Sequence, residues 1–278
     1  MLKIVTFVCM LLGSAMMADT SAAGVLVTGA GFTQLCPVKG VNRSWPTNKK
    51  GVQEPPFFSL PTEVLSEVLA RVASSSSTDL FRAKLCCKLF YEVSDANNIY
   101  QRVSLDKFEI VSWQKNDKVS RFLKKCRESK NPETLYRKGV VDFFMDMHED
   151  STLECVEEAA NSGHANAAYA LGIIYIFVGG DELKRKGMRL LKKARILKGR
   201  VKICHDNLLA LLRMIWVKNP VFLNPTPICC AMTHERKTSS WPMDADEVEE
   251  STCEGCACDE EIGAICAALP YRQCKIEC

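Results

Sequence analysis

Residues 60–73 read LPTEVLSEVLARVA. Leu60, Val64, Leu65, Val68, Leu69 and Val72 recur at three- and four-residue intervals, so the stretch predicts an amphipathic helix with one apolar face. Pro61 suits the first turn, where its missing N–H costs nothing, and Glu63 meets the positive end of the helix. Residues 74–78, SSSST, break the pattern. Asp79 then predicts an N-cap for a second helix carrying Leu80, Ala83, Cys87 and Phe90. A third helical segment is expected over about 98–103.

The order and spacing of these residues resemble an F-box over 57–104. The pattern is Leu60-Pro61-x-Glu63-Val64-Leu65, then Val68-Leu69, then Asp79-Leu80, Ala83 and Cys87-Lys88-x-Phe90. The chain departs from the family in the serine run before Asp79 and in Phe90, where a tryptophan is common. The resemblance implies a small helical domain that docks on the Skp-type adaptor of a cullin-RING ubiquitin ligase, and through it on a cullin. Physically that is packing of an apolar helix face into a groove. Carried over, the adaptor-binding anchors would be Leu60, Pro61, Leu65, Val68, Leu69 and Leu80. It also implies a cytosolic or nuclear location.

Upstream, the chain points elsewhere. Lys3 precedes an apolar run over 4–18 followed by Ser21, Ala22 and Ala23, the pattern of a secretory signal. The run is too short to span a bilayer. Asn42-Arg43-Ser44 is a glycosylation triplet. Gly29-Ala30-Gly31 is half of a dinucleotide fingerprint, but Gln34 stands where the third glycine is required. Residues 24–56 lack sustained periodicity and are read as linker, so 1–56 forms an arm with a signal-like start. Secretion and ligase docking cannot both serve one protein. The alternative reading is a secreted, disulfide-containing helical repeat protein with a vestigial F-box.

Downstream, from about 119 to 217, the pattern is helix after helix. Sliding the sequence by 33 residues lays Tyr136 over Tyr169, Gly139 over Gly172, Val140 and Val141 over Ile173 and Ile174, and Phe144 over Phe177. Small residues at Gly139, Ala168 and Gly172 predict close helix contacts. Residues 157–175, EEAANSGHANAAYALGIIY, resemble a Sel1-like repeat, a relative of the tetratricopeptide repeat. Such pairs bury their faces only by stacking, which predicts a short solenoid for binding protein or for spacing the flanking regions. His164, at the repeat turn, is read as structural. Over 184–202 ten Lys or Arg occur with no acid, interleaved with Met188, Leu190, Leu191, Ala194 and Ile196. This reads as the solvated side of a helix. Aromatic stacking residues are absent, which argues against a nucleic-acid partner.

The tail, 218–278, holds the compositional outlier. Of 15 cysteines, eight lie in the last fifty positions. Cys253-x-x-Cys256 has the spacing of a thiolate pair on one metal, and Cys230-x-x-x-His234 could supply the other pair of a single structural zinc. Cys258 and Cys266 are alternates. The order F-box, Sel1-like repeat and Cys-rich tail is similar to plant F-box proteins that carry a MYND-type zinc finger. Here only one CxxC exists and the finger's later His-Cys pair is missing. Disulfides would replace zinc in an oxidising compartment.

Composition sets the outer limits. Across 278 residues, 47% hydrophobic and 25% charged content excludes a disordered chain, a collagen-like fibre and a multi-span membrane protein. A net charge of +3, from 36 basic and 33 acidic residues, is too balanced to require a polyanion. No nucleophile elbow, phosphate loop or HExxH occurs, and the expectation is a non-catalytic protein of unknown substrate. The fold expected is all-α: an F-box helical domain, a short Sel1/TPR-like solenoid and an irregular Cys-rich tail.

Overall fold

A computed structural model describes residues 60–111, 116–145, 152–196, 200–218 and 253–268. The N-terminal arm, Cys230 and His234 lie outside these residues. Every described element is a helix, as expected for an all-α chain. No described helix is long and apolar enough to cross a membrane. The described residues divide into two units, one reaching Lys107 and adding Asn116–Ser129, the other taking Phe108–Lys115 and the chain from Lys130 onward.

The first unit opens with α1 (Thr62–Ser75) and α2 (Ser77–Cys86). The break between them falls on Ser76 alone, which is extended at φ −162° and ψ 117°. Its side chain accepts the Asp79 N–H at 3.2 Å, so Ser76 is the N-cap that the sequence assigned to Asp79. Asp79 sits instead in the first turn, where its charge suits the helix dipole. The expected single second helix is also interrupted. Cys87 adopts an extended conformation and its Sγ accepts the Phe90 N–H, starting α3 (Lys88–Val93) afresh. Then comes α4 (Asn97–Arg102). After it, Ser104 N–H donates to the Ala73 carbonyl at 2.9 Å, returning the chain to the end of α1. Leu65, Leu69, Ala73, Leu80, Phe90, Ile99 and Tyr100 fill the core.

A fifth helix, α5 (Asp117–Glu128), completes this unit. Asn116 caps it by accepting the Lys118 and Val119 amides. Phe122 places its ring 5.4 Å from Phe81 and 5.9 Å from Tyr100, in tilted geometry that favours aromatic pairs. Lys125 reaches Asp95 at 2.9 Å, and Lys84 and Lys125 both lie over the Tyr100 ring. Tyr100 in turn donates to Asp95. The sequence grouped this helix with the repeats, but its aromatic partners are in the first unit. Phe122→Ala should therefore destabilise the first unit by about 2 kcal/mol, less than a fully buried phenylalanine would. Denaturant melts read by α1–α4 amide exchange would register it. An unchanged midpoint would show α5 to be peripheral.

The second unit is built on helix pairs. Pro132 at the first turn and Asn131 at the N-cap start α6 (Pro132–Phe144). It pairs with α7 (Thr152–Asn161), and α8 (Ala165–Val178) pairs with α9 (Asp181–Ile196). The 33-residue shift carries Pro132, the start of α6, onto Ala165, the start of α8. Gly139 packs where a Cβ would strike Val156 and lie 3.0 Å from the Thr152 carbonyl. A Cβ on Gly172 would lie 3.1 Å from the Leu191 side chain and 3.3 Å from the Gly187 carbonyl oxygen. The α8 helix is buried from Tyr169 to Phe177, as its nearly unbroken apolar sequence requires. Packing against α8 and also reaching α6, α10 (Arg200–Arg213) closes the array.

The turn between α7 and α8 is set by His164. Its Nδ1 accepts the Ala167 N–H at 3.1 Å as N-cap, so Nε2 carries the proton and donates to Glu133 at 2.8 Å. Arg137 also donates to Glu133. Burial alone would raise the Glu133 carboxyl, but the His164 and Arg137 hydrogen bonds and charge together hold it below its ordinary value. A carboxylate lowered in the folded state contributes stability that is complete above its unfolded pKa of about 4.3 and lost as pH falls through the lower folded pKa. Thermal melts should therefore decline more steeply below about pH 4.5 in the wild type than in Glu133→Gln. Parallel profiles would show that the carboxylate adds nothing to the turn.

The tail is not wholly irregular. Residues Glu254–Ala268 form α11, which packs on α9. Cys258, Ile262 and Ile265 join the core of the repeat, and this burial explains why a Gly- and Cys-bearing segment is helical.

Candidate functional site

The head of α1 is the surface feature with functional potential. Pro61 has no N–H to satisfy, and its carbonyl accepts the Val64 and Leu65 amides at 3.0 and 3.1 Å. Leu60 and Pro61 are thereby fixed at the exposed start of the helix. The apolar residues of α1 separate into two adjoining stripes. Leu65 and Leu69, each 3% exposed, turn inward, as does Leu80 of α2. Leu60, Val64 and Val68 follow one another at four-residue steps on the outside, about 40% exposed each.

The single face expected from the sequence is thus two, because adjacent positions are rotated by about 100° around a helix. Of the six expected anchors, Leu60, Pro61 and Val68 reach the surface, whereas Leu65, Leu69 and Leu80 are enclosed in the core. Val64, outside that set, completes the exposed stripe. The signal was present in the i, i+4, i+8 spacing of 60, 64 and 68. Beside the stripe, Glu67 accepts from Arg102 at 2.9 Å and from Arg71 at 3.2 Å. The Arg102 and then the Arg71 hydrogen bond hold its carboxyl low. Through Arg102 this ties α1 to α4, and a hydrogen bond from Ser66 to Asn98, 2.9 Å, does the same at a half-buried position. The stripe thus stands on a helix braced from behind. Scattered exposed apolar residues are ordinary, but an aligned stripe led by a proline turn suits helix-in-groove association.

The expected zinc ligands are only partly described. Cys253 is exposed at the start of α11 and Cys256 is half-buried one turn on. Cys258 is turned into the core and its thiol is pushed up to about 11 by burial, which disfavours the thiolate a metal needs. Cys266 is likewise raised by burial. Among the described residues no group of three or more metal-binding side chains converges. The four-residue set cannot be assembled from them, since Cys230 and His234 fall outside. Nine cysteines are described.

Comparison with known proteins assigns the two units. Residues 57–102 match the F-box domain, and residues 105–213 match plant tetratrico peptide repeats. The chain carries an F-box. The exposed Leu60–Val68 stripe lies within it, and the repeat match extends back over α5, which packs with the F-box unit. Three Arabidopsis thaliana proteins that bear F-box protein in their names align with about half of the chain. They are 35%, 26% and 25% identical over 133, 139 and 145 residues. The alignments cover 48%, 49% and 50% of this chain and 44%, 83% and 38% of the relatives. The chain therefore spans less than half the length of the first of them. No solved structure matches with significance.

Proposed function

We propose that this chain is a substrate-recognition subunit of a Skp-cullin-F-box ubiquitin ligase. The F-box would dock on a Skp-type adaptor, and the repeat unit would receive the protein to be modified. The observation that carries this reading is the exposed apolar stripe of Leu60 and Pro61, just ahead of α1, with Val64 and Val68 on it, beside an adjoining stripe that holds the domain together. Ubiquitin transfer itself would belong to the ligase's RING subunit and conjugating enzyme, so no catalytic residue is assigned here. The machinery of that reading works in the cytosol or nucleus. The test is adaptor capture by the full chain and by stripe variants.

A zinc on Cys253 and Cys256, completed by Cys230 and His234, is a separate proposal about the tail. Elemental analysis of the reduced full chain tests it. About one zinc per chain, lost in Cys253→Ser/Cys256→Ser, supports the site, and stoichiometry near zero overturns it.

A further inference from the structure

The tail helix α11 lies on the repeat as a ligand lies on a receptor. Its buried positions are Gly255, Cys258, Glu261, Ile262 and Ile265, one face at three- and four-residue steps. Two polar contacts hold its first turn to α9: Lys192 pairs with Glu254, and Arg195 donates to the Ala257 carbonyl. A third contact lies inside. Glu261, 1% exposed, places Oε1 2.9 Å from Nδ1 of His205 on α10, and Tyr169 of α8 lies 3.1 Å from the same nitrogen. Among the described residues, Oε2 of Glu261 has no hydrogen-bond partner.

Connectivity separates this helix from the rest of the array. α10 ends at Arg213 and α11 begins at Glu254, so 40 residues (214–253) separate them in sequence. A buried acid is an expensive way to finish a core, since apolar residues fill such a position without the cost of desolvating a carboxyl group. It is an effective way to define a partner, because a groove with a buried imidazole rejects a helix that leaves it unpaired. The outer face of α9, with Arg185, Lys186, Arg189, Lys192 and Lys193 exposed, adds positive charge beside the groove.

We propose that the groove formed by α8, α9 and α10 is a binding site for acidic amphipathic helices of a partner protein, and that α11 occupies it as a tethered internal ligand. The recognised helix presents apolar anchors one turn apart, an acid between them for His205 and an acid at its first turn for Lys192. This rests on the reading that the repeat unit receives the substrate, and it names the substrate's recognised element. Because α11 already covers this surface, a partner helix binds only by outcompeting it.

The test uses the full chain with Ile262→Asp and Ile265→Asp, which remove the anchors of α11, and a fluorescent peptide of residues 252–269 under reducing conditions. The opened chain should bind the peptide at least tenfold tighter than the wild-type chain. His205→Ala in the opened chain, or Glu261→Lys in the peptide, should weaken binding at least tenfold. An opened chain that keeps α8 amide protection yet binds no peptide overturns the proposal. If the opened chain fails to fold, amide exchange of the wild type decides. Opening of α11 at least tenfold more often than α8 supports an exchangeable ligand, and a common rate for both overturns it. Adaptor capture measured on the same chains is independent of these results, so loss of peptide binding with intact capture sinks this proposal alone.

Discussion

Replacing Leu60 and Pro61 together by alanine in the full chain is expected to cut capture of a Skp-type adaptor at least thirtyfold, with the melting transition unchanged. Central apolar anchors commonly contribute about 2 kcal/mol or more each, and about 1.4 kcal/mol is a factor of ten in affinity. Anchors that pack side by side are not additive, which is why thirtyfold is the floor and not the square of it. Stability should hold because both residues are exposed ahead of the helix, where substitutions usually stay within about 0.5 kcal/mol. Leu80→Ala supplies the contrast. It empties a fully buried position and should destabilise by about 2–5 kcal/mol, losing adaptor only as the domain unfolds. Val68→Asp should behave like the double variant, placing an unpaired charge in the proposed groove. Undiminished capture by Leu60→Ala/Pro61→Ala would remove those residues from the docking face. A wild-type chain that captures no adaptor would sink the proposed function.

The two apolar stripes of α1 show what sequence periodicity can and cannot resolve. Leu60, Val64, Leu65, Val68, Leu69 and Val72 announce a helix because any three- or four-residue recurrence does so. Which half of that broad apolar arc faces the core depends on where α2, α3 and α4 lie, and that information is non-local. The same limit explains the caps. Ser76 and Asp79 are both good N-cap types three residues apart, and only the extended backbone at Ser76 selects between them. The packing of α5 is hidden for a related reason. Its apolar pattern is helical in either unit, and its membership is decided by the Phe122 contacts with Phe81 and Tyr100, more than twenty residues away in sequence.

The repeat was more legible because its signal is internal. The match of Gly139 to Gly172 at a fixed step implies close helix approach without knowledge of any partner, and both glycines face side chains of the neighbouring helix. The groove chemistry around His205 was not legible. Glu261 sits 56 positions downstream, and nothing in its local sequence marks it as 1% exposed. Connections of this length hide the pairing of distant helices from any local pattern.

Within the repeat unit, a large stability effect is expected at the glycine contact between α8 and α9. A Cβ on Gly187 would lie 2.7 Å from the Gly172 carbonyl oxygen and 2.8 Å from Ile176 Cγ1. A backbone oxygen cannot swing aside as a side-chain tip can, so the two helices must separate, and every contact between them loosens with distance. Gly187→Leu should therefore destabilise the repeat unit by about 3 kcal/mol, at the upper end of overpacking costs. Gly187→Ala should also destabilise, by about 1 kcal/mol or more, against a helix propensity that alone would favour alanine by about 1 kcal/mol. Gly263, on α11, isolates the propensity effect. It is exposed and a Cβ there meets no atom of the described residues within 4 Å, so Gly263→Ala should stabilise α11 by up to about 1 kcal/mol. Denaturant melts of the three variants read the sign directly. If Gly187→Ala raises the midpoint as Gly263→Ala does, α8 and α9 do not approach through their glycines, and the close-packed repeat core described here is wrong.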